Sequence, residues 1–388
     1  MDFNLTEQQG DVIQSMREYG SKVFTIENIR QWREDQGLPD DVVQDFARRY
    51  FSLPSSAGGS SPFSQSLLTQ AMVIEELCRC AGCTLPFQND LFELHIMAGF
   101  ASDHDFSTVI DDFRSTGRVM FALAVSEPQA GSDTQNMKTS VRTVDGKLYL
   151  NGVKTFVNNG EYAPNILVAA IDEDAPAETR HPALSFWFVP RKLRGIKAYP
   201  ITKIGQPMLP FATVSFENVE LKPEYRLEGP KANAGFPHLF SLLERGRIFT
   251  CASSLGMAQA AMEDAARYAT ERMAFGTRIG EFQQIGQMLT DMEIRIWNMR
   301  NLLYEAAMKS DEDAPDKRLA IALMKRYIPA AATQVASDAM QILGGIGYTE
   351  RERVSHIWQD CRGNQLAEGT DQIMVYIAAP LIMKKYGE

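Results

Sequence analysis

Thr139-Ser140-Val141-Arg142-Thr143-Val144-Asp145-Gly146-Lys147-Leu148-Tyr149-Leu150 sets the architecture. Two β-prone runs flank Asp145-Gly146, the dipeptide that best supplies the positive-φ positions of a type I′ turn, so a hairpin is predicted here. Outward from it, Val119–Val125 is a short apolar run that breaks at Glu127-Pro128. Ile166–Ala170, Leu184–Val189 and Thr213–Phe216 are further strand candidates. A β-domain of about 100 residues follows, from Arg118 to about Leu227. On its N-terminal side, from Thr6 to about Gly117, the apolar spacing is helical. Gln65–Arg79 carries Leu67, Leu68, Met72, Ile74, Leu77 and Cys78 close to one helical stripe, and Ser52–Pro62 is a Ser/Gly/Pro-rich loop. On the C-terminal side Ile248–Tyr268, Gln283–Lys309, Asp316–Leu343 and Asp371–Lys385 are too long for isolated surface helices and suggest a four-helix bundle. The expected fold is α+β multidomain: an N-terminal helical domain (1–120), a middle β-barrel or sandwich (121–230) and a C-terminal bundle (231–388). This order is not βαβ alternation, and neither G-x-G-x-x-G nor G-x-x-x-x-G-K-[ST] occurs, which argues against a Rossmann or P-loop domain.

Composition excludes several classes. Lys+Arg is 39 against Asp+Glu 49, a net charge of −10 over 388 residues, which argues against nucleic acid as the main partner. No run of 18 or more apolar residues exists, so no membrane span is expected. Five cysteines are an odd, sparse set that suits a reduced compartment, and Met1–Glu7 has no basic leader. The expected location is the cytoplasm, although a matrix protein stripped of its presequence would read the same way. Cys78, Cys80 and Cys83 lie close but have no nearby His. They read as small residues closing a helix, with no metal site expected. His356 beside Ile357-Trp358 reads as packed on a helix.

Four segments could carry chemistry. Ser126–Asp133 reads as a turn after a strand, or as a loop whose Gly131 lets backbone N–H groups approach an anionic ligand. Arg272 with Phe275-Gly276 reads as a helix end with Gly276 as its C-cap. Gly344-Gly345-Ile346-Gly347 ends another helix, where capping explains one glycine but not three. Glu368, before Gly369, is by itself an ordinary polar loop residue.

Together these segments resemble the acyl-CoA dehydrogenase family. Five ordered motifs carry the resemblance: Val125-Ser126-Glu127-Pro128 with Ala130-Gly131-Ser132-Asp133; Asn151-Gly152-x-Lys154; Glu271-Arg272-x-x-Phe275-Gly276 with Gln283; Gln341-Ile342-Leu343-Gly344-Gly345-x-Gly347; and Glu368-Gly369-Thr370-x-Gln372-Ile373. The resemblance implies FAD bound without a Rossmann fold, an acyl-CoA substrate, an electron-transfer flavoprotein as electron acceptor and a homotetramer. By it, Leu123, Val125, Ser126, Gly131 and Ser132 lie against the flavin, and Ser132 also touches acyl-CoA. Phe156, Val157 and Asn158 line the flavin's other edge, with Asn158 replacing the usual Thr or Ser. Arg272, Phe275 and Gln283 reach the pyrophosphate and its surroundings, where the planar Arg fork suits phosphate. Gln341, Ile342, Leu343, Gly344 and Gly345 approach the FAD of a partner subunit, and Thr370, Asp371 and Gln372 complete the cofactor set. Glu244, Arg247 and Gly369 join Ser132 at the substrate.

By the same resemblance Glu368 is the catalytic base. Desaturating a thioester needs an α-proton removed while a hydride leaves Cβ for the flavin, and a carboxylate in a dry pocket is matched to that task. Some members carry the base on an earlier helix, at the slot occupied here by Gly246, so Glu368 has no local competitor. Ala367 stands where an aromatic residue is common, which widens the pocket. Met1–Leu5 and Glu263–Ala269 resemble the enteric crotonobetainyl-CoA reductase type, which tends to lack a Glu at position 368. Retention of Glu368 favours dehydrogenation. The alternatives are an enoyl-CoA reductase running the reverse reaction and a redox-inactive relative that binds acyl-CoA or a partner.

Overall fold

Asp145 and Gly146 adopt φ of 50° and 76°, as the type I′ reading requires, in a computed structural model that describes residues 6–52, 66–101, 104–175, 183–227 and 235–387. Around this turn the middle of the chain forms an eight-stranded sheet: β1 (Ala122–Ala124), β2 (Ser140–Val144), β3 (Lys147–Asn158), β4 (Asn165–Asp172), β5 (Leu184–Pro190), β6 (Ile196–Ile201), β7 (Phe211–Leu221) and β8 (Arg226–Leu227). The order is β6-β7-β3-β2-β4-β5-β8, with β1 pairing parallel to β4. β3 runs well past the expected Leu150 because β7 pairs along its length, with register shifts near Gly152 and Phe156. β6 and β8 lie outside the expected strands. Along β6 half-buried and exposed residues alternate, with a proline at 200, which leaves little apolar signal.

Among the described residues six helices precede the sheet: α1 (Glu7–Val23), α2 (Ile26–Glu34), α3 (Asp40–Ser52), α4 (Leu67–Ala81), α5 (Phe87–Phe100) and α6 (Ser107–Thr116). α4 is buried on nearly every side, where the sequence suggested a single stripe. Gly82, at φ 64°, closes it by donating to Cys78 O, and Cys78 and Cys83 pack inside. The expected loop at 53–62 and the opening residues 1–5 lie outside the described residues.

After the sheet come α7 (Gly235–Glu271), the two-residue strands β9 (Met273–Ala274) and β10 (Thr277–Arg278), α8 (Gln283–Asp311), α9 (Lys317–Leu343), α10 (Arg353–Asn364) and α11 (Asp371–Gly387). α7 has 37 residues and begins well before the expected Ile248, because its proline, Pro237, sits in the first turn where no N–H is needed. α10 adds a short helix to the four expected, with His356 on it. Gly276 is not a helix cap. Phe275 and Gly276, at φ 51° and 83°, are the turn of the β9–β10 hairpin.

At β4 and β5 the sheet is buried on both faces. Ile166, Val168 and Ala170 of β4 join Trp187, Val141 and Val214 in the sheet's own core, while Leu167 and Ala169 face the helices together with Phe186 and Phe188. Such two-sided burial turns the period-2 signal into a continuous apolar run. Asp360 on α10 joins all three regions. Its carboxylate accepts from Arg33 of α2 at 3.3 Å, from Thr84 N at 3.0 Å and from Gln206 N of the sheet region at 2.6 Å.

Candidate active site

Two of the motifs are welded together inside the sheet. Lys154 of β3 is fully buried, and its Nζ donates to Glu127 Oε1 and to Val125 O, each at 2.8 Å. Glu127 also accepts from Lys138 N at 2.7 Å and Thr139 N at 2.9 Å. Burial pushes the Glu127 carboxyl up, but Lys154 and the backbone donors outweigh it and bring it down to about 2. Burial lowers Lys154 to about 8 against the pull of Glu127. The pair fixes a tight turn in which Glu127 and Ala130 exchange backbone hydrogen bonds at 3.0 Å, and the turn presents Gly131 and Ser132 to solvent. Within its motif Lys154 carries no sign of this role; only the fold shows that it holds the 126–132 loop.

Leu123 and Val125 point from the sheet edge toward the helices, while Ala122 and Ala124 face the sheet core. Ser126 O is engaged by Thr155 N. Phe156 is 60% exposed at φ 56°, so it is not a core residue. Val157 is buried in the sheet core, so only its main chain could face a ligand. Asn158 Oδ1 is buried without a hydrogen-bond partner. From Phe156 a line of contacts leads to α10: Phe211 packs 6.3 Å from it, Lys203 lies over the Phe211 ring at 4.3 Å and donates to Gln206 O, and Gln206 bonds Asn364 at 2.7 Å.

Glu368 lies in the loop between α10 and α11, at φ 55°. Arg247 of α7 donates from Nε to Glu368 O at 3.0 Å. Lys325 of α9, fully buried, donates to Asn364 O at 2.9 Å and Gly369 O at 3.2 Å. These two cations grip the loop through its carbonyls and leave the Glu368 carboxylate unbound: Oε2 is closed to solvent and has no hydrogen-bond partner. Burial pushes its carboxyl above the ordinary range, partly offset by Arg247 and Lys325. A Cβ at Gly246 would lie 2.9 Å from Glu368 Oε2 and 3.1 Å from Phe92 Cζ, so the absence of a side chain at 246 makes room for this carboxylate. Glu244 is half-buried one turn of α7 below Arg247. Thr370 caps α11 by accepting from Ile373 N, Asp371 accepts from Gln365 while its Oδ1 is buried without a partner, and Gln372 is exposed. Ala367 is half-buried beside Glu368.

The remaining expected residues sit elsewhere. Arg272 is exposed at the far end of α7, and among the described residues no carboxylate pairs with its guanidinium. Phe275 projects from the hairpin tip, 98% exposed, and Gln283 is the exposed first residue of α8. Arg295 on α8 pairs with Asp338 on α9 at 3.2 Å, so the end of α9 lies beside the start of α8. There Gln341, Gly344 and Gly345 are exposed, and a Cβ on either glycine would meet open space, whereas Ile342 and Leu343 are buried in the helical core. Gly347 packs tightly on Met340 and Leu343 of its own chain. Arg272 follows the last residue of α7 and lies 26 residues beyond Gly246, about 39 Å at 1.5 Å per residue. The two groups therefore stand at opposite ends of one helix.

Known proteins share this arrangement. Residues 122–219 match the family model of the acyl-CoA dehydrogenase middle domain and residues 233–382 that of the acyl-CoA dehydrogenase C-terminal domain. The probable acyl-CoA dehydrogenase YdiO of Escherichia coli K12 is 36% identical over 389 aligned residues, covering 100% of this chain and 99% of the relative. The crystal structure of an acyl-CoA dehydrogenase from Slackia heliotrinireducens superposes with a TM-score of 0.89 at 50% identity, covering 100% of this chain and 99% of that one. Butyryl-CoA dehydrogenase from Megasphaera elsdenii follows with a TM-score of 0.87 at 26% identity, covering 99% and 100%. With helices, sheet and helices in the same order and both family domains matched, the chain belongs to the acyl-CoA dehydrogenase family.

Proposed function

We propose that the protein desaturates an acyl-CoA thioester between Cα and Cβ with FAD as cofactor, and that Glu368 takes the α-proton. The observation that carries this reading is the unbound, solvent-shielded Oε2 of Glu368 on a loop gripped only through its carbonyls. A carboxylate raised by burial binds a proton more readily than one in water, which suits a base. Arg247 and Lys325 hold it in place and limit the rise, so that it can still ionise.

The residues present fit FAD. Arg272 has an unpaired guanidinium for phosphate, Gly131, Gly344 and Gly345 offer uncovered backbone, and Asn158 Oδ1 lacks a partner. Phe156 offers an exposed ring beside Asn158. When bound, FAD supplies the acceptor for the hydride leaving Cβ. Its electrons then pass to an electron-transfer flavoprotein, the carrier implied by the family resemblance.

Assembly belongs to the same reading. Arg272 stands about 39 Å from the Gly246 end along α7, too far for one chain to place Arg272 and Glu368 at one flavin ring, and Gly344 ends α9 on the side of the α8 start. The far group serves the site of a second copy, in a homotetramer built as a dimer of dimers. Exposed Phe275, Ile294, Trp297 and Tyr376 suit such contacts. Light scattering that gives a monomer mass with FAD bound would overturn the assembly. The free thiols Cys78, Cys80, Cys83, Cys251 and Cys361 suit the cytoplasm.

The test of the base is Glu368→Gln, which keeps the size of the side chain but cannot take a proton. FAD and acyl-CoA should still bind, and anaerobic bleaching of the flavin by acyl-CoA should slow by ~10²–10⁴. A parental bleaching rate, or a colourless protein, would sink the assignment.

A further inference from the structure

Helices α5 and α7 run side by side away from Glu368, and three contacts fix their register. A Cβ at Gly246 would lie 3.1 Å from Phe92 Cζ, Arg245 Nη1 lies 2.6 Å from His95 Nδ1, and a Cβ at Gly99 would lie 3.1 Å from Leu242 Cδ2. Ascending α5 from Phe92 through His95 to Gly99 therefore means descending α7 from Gly246 through Arg245 to Leu242. The first contact touches the Glu368 carboxylate. The second comes three residues later on α5, about 4.5 Å along the helix axis.

The second contact is polar, and His238 of α7 lies near the third, its ring 3.5 Å from a Cβ at Gly99. Arg245 donates to His95 Nδ1, so the ring proton is on Nε2, which donates to Gln70 Oε1 at 3.1 Å. Burial and the neighbouring Arg245 drive His95 down to about 3, so the ring is neutral and the local charge is that of Arg245. Among the described residues no carboxylate forms an ion pair with Arg245. Asp311 attracts it electrostatically, but its oxygens are taken by Leu67 N at 2.7 Å and Leu68 N at 3.2 Å. Burial raises both Asp90, to about 8, and Glu93 on α5, and neither pairs with Arg245; Glu93 Oε2 accepts from Met120 N and Phe121 N. A half-buried guanidinium oriented by a neutral imidazole keeps most of its five donors for something else.

We propose that Arg245, aligned by His95, receives a carboxylate at the far end of a short acyl chain, so that the substrate class is an ω-carboxyacyl-CoA. This rests on the reading that the reacting carbons lie at Glu368. One helical turn beyond them corresponds to about two or three further carbons, the terminal carboxyl included, which selects the monothioesters of five- and six-carbon dicarboxylic acids and leaves the four-carbon one short. The same cation disfavours an acyl chain ending in trimethylammonium, the charge type suggested by the crotonobetainyl resemblance.

The test uses the FAD-loaded enzyme with succinyl-, glutaryl- and adipyl-CoA against butyryl- and hexanoyl-CoA. Half-saturating concentrations for anaerobic flavin bleaching are measured, together with dissociation constants from the flavin spectral shift in the Glu368→Gln protein. The best carboxylated thioester should half-saturate at least tenfold below its methyl-ended counterpart, with the same order in the Glu368→Gln binding series. Arg245→Met should erase that ratio, and Arg245→Lys should keep part of it. An enzyme that prefers methyl-ended chains overturns the proposal without any variant, as does a ratio unchanged in Arg245→Met. If Glu368→Gln bleaches at the parental rate, the base assignment fails alone, because the binding ratio still judges Arg245.

Discussion

The two ends of α7 are built on opposite plans. At the Gly246 end the carbonyls of the Glu368 loop are spoken for: Arg247 holds Glu368 O and Lys325 holds Gly369 O and Asn364 O, while Glu368 Oε2 and Asp371 Oδ1 stay unmatched behind them. At the Arg272 end the reverse holds. The guanidinium is exposed, the Phe275 ring stands in solvent, and two glycines offer bare backbone. A buried group with one unsatisfied atom is a finished tool awaiting a small molecule. An exposed set of unsatisfied groups is half of an interface. The contrast separates residues that act within their own chain from those that act on a neighbour.

Substitutions can break this contrast from either side. After the loss expected for Glu368→Gln, the largest effect belongs to Gly246→Ala. Its methyl would lie 2.9 Å from Glu368 Oε2 and 3.1 Å from Phe92 Cζ, so the carboxylate must move. A shift of about 1 Å can cost roughly 10²-fold in rate. Stopped-flow bleaching should record that loss at normal flavin content, and an unchanged rate would mean that Glu368 reacts from another position. Arg272→Ala should weaken FAD binding about tenfold or more, since a charge-assisted hydrogen bond contributes roughly 1.5–3 kcal/mol. The protein should purify pale yet melt near the parental temperature, because the side chain supports no fold contact; full flavin content would place Arg272 outside the cofactor site.

Lys325→Met sharpens the comparison at the buried end. Deprotonated Glu368 is the active base, so bleaching rises with pH through its pKa. Burial already raises that pKa, and Lys325 pulls it back. Removing the cation should shift the rising limb to higher pH, and a shift to lower pH would contradict the charge argument. Phe275→Ala should be the mildest change. In an isolated chain it is silent, as for most exposed positions, whereas in an assembly the melting temperature should fall as protein is diluted.

The sequence speaks clearly where a local rule decides. Asp145-Gly146 needs positive φ at both positions, and that demand is met within two residues. The long helices show because their apolar residues recur over many turns. β6 and α10 stay hidden because one is an edge strand of mixed burial and the other a short helix whose buried Asp360 and Asn364 read as polar. The grip on Glu368 is equally invisible. Arg247 and Lys325 lie 121 and 44 residues from the carbonyls of Glu368 and Gly369 that they hold, and no spacing rule reaches so far. Glu368 itself stands out in the sequence only through resemblance; its chemistry comes from burial by distant parts of the chain.

Asp360 bears on modularity. Arg33, Thr84 and Gln206 come from three separate stretches of the chain, and all of them spend a donor on this one carboxylate. A Cβ at Gly205 would lie 3.1 Å from Asp360 Oδ1, so the sheet segment can approach only as glycine. Excising the N-terminal helices or the sheet leaves the buried Asp360 carboxylate short of donors, and stripping a partner from a buried ion pair costs roughly 3–5 kcal/mol. The matched family domains are therefore not interchangeable parts. A chimaera that takes its sheet from a relative must bring along the Gly205-Gln206 joint, or its C-terminal helices inherit a charge with nowhere to put it.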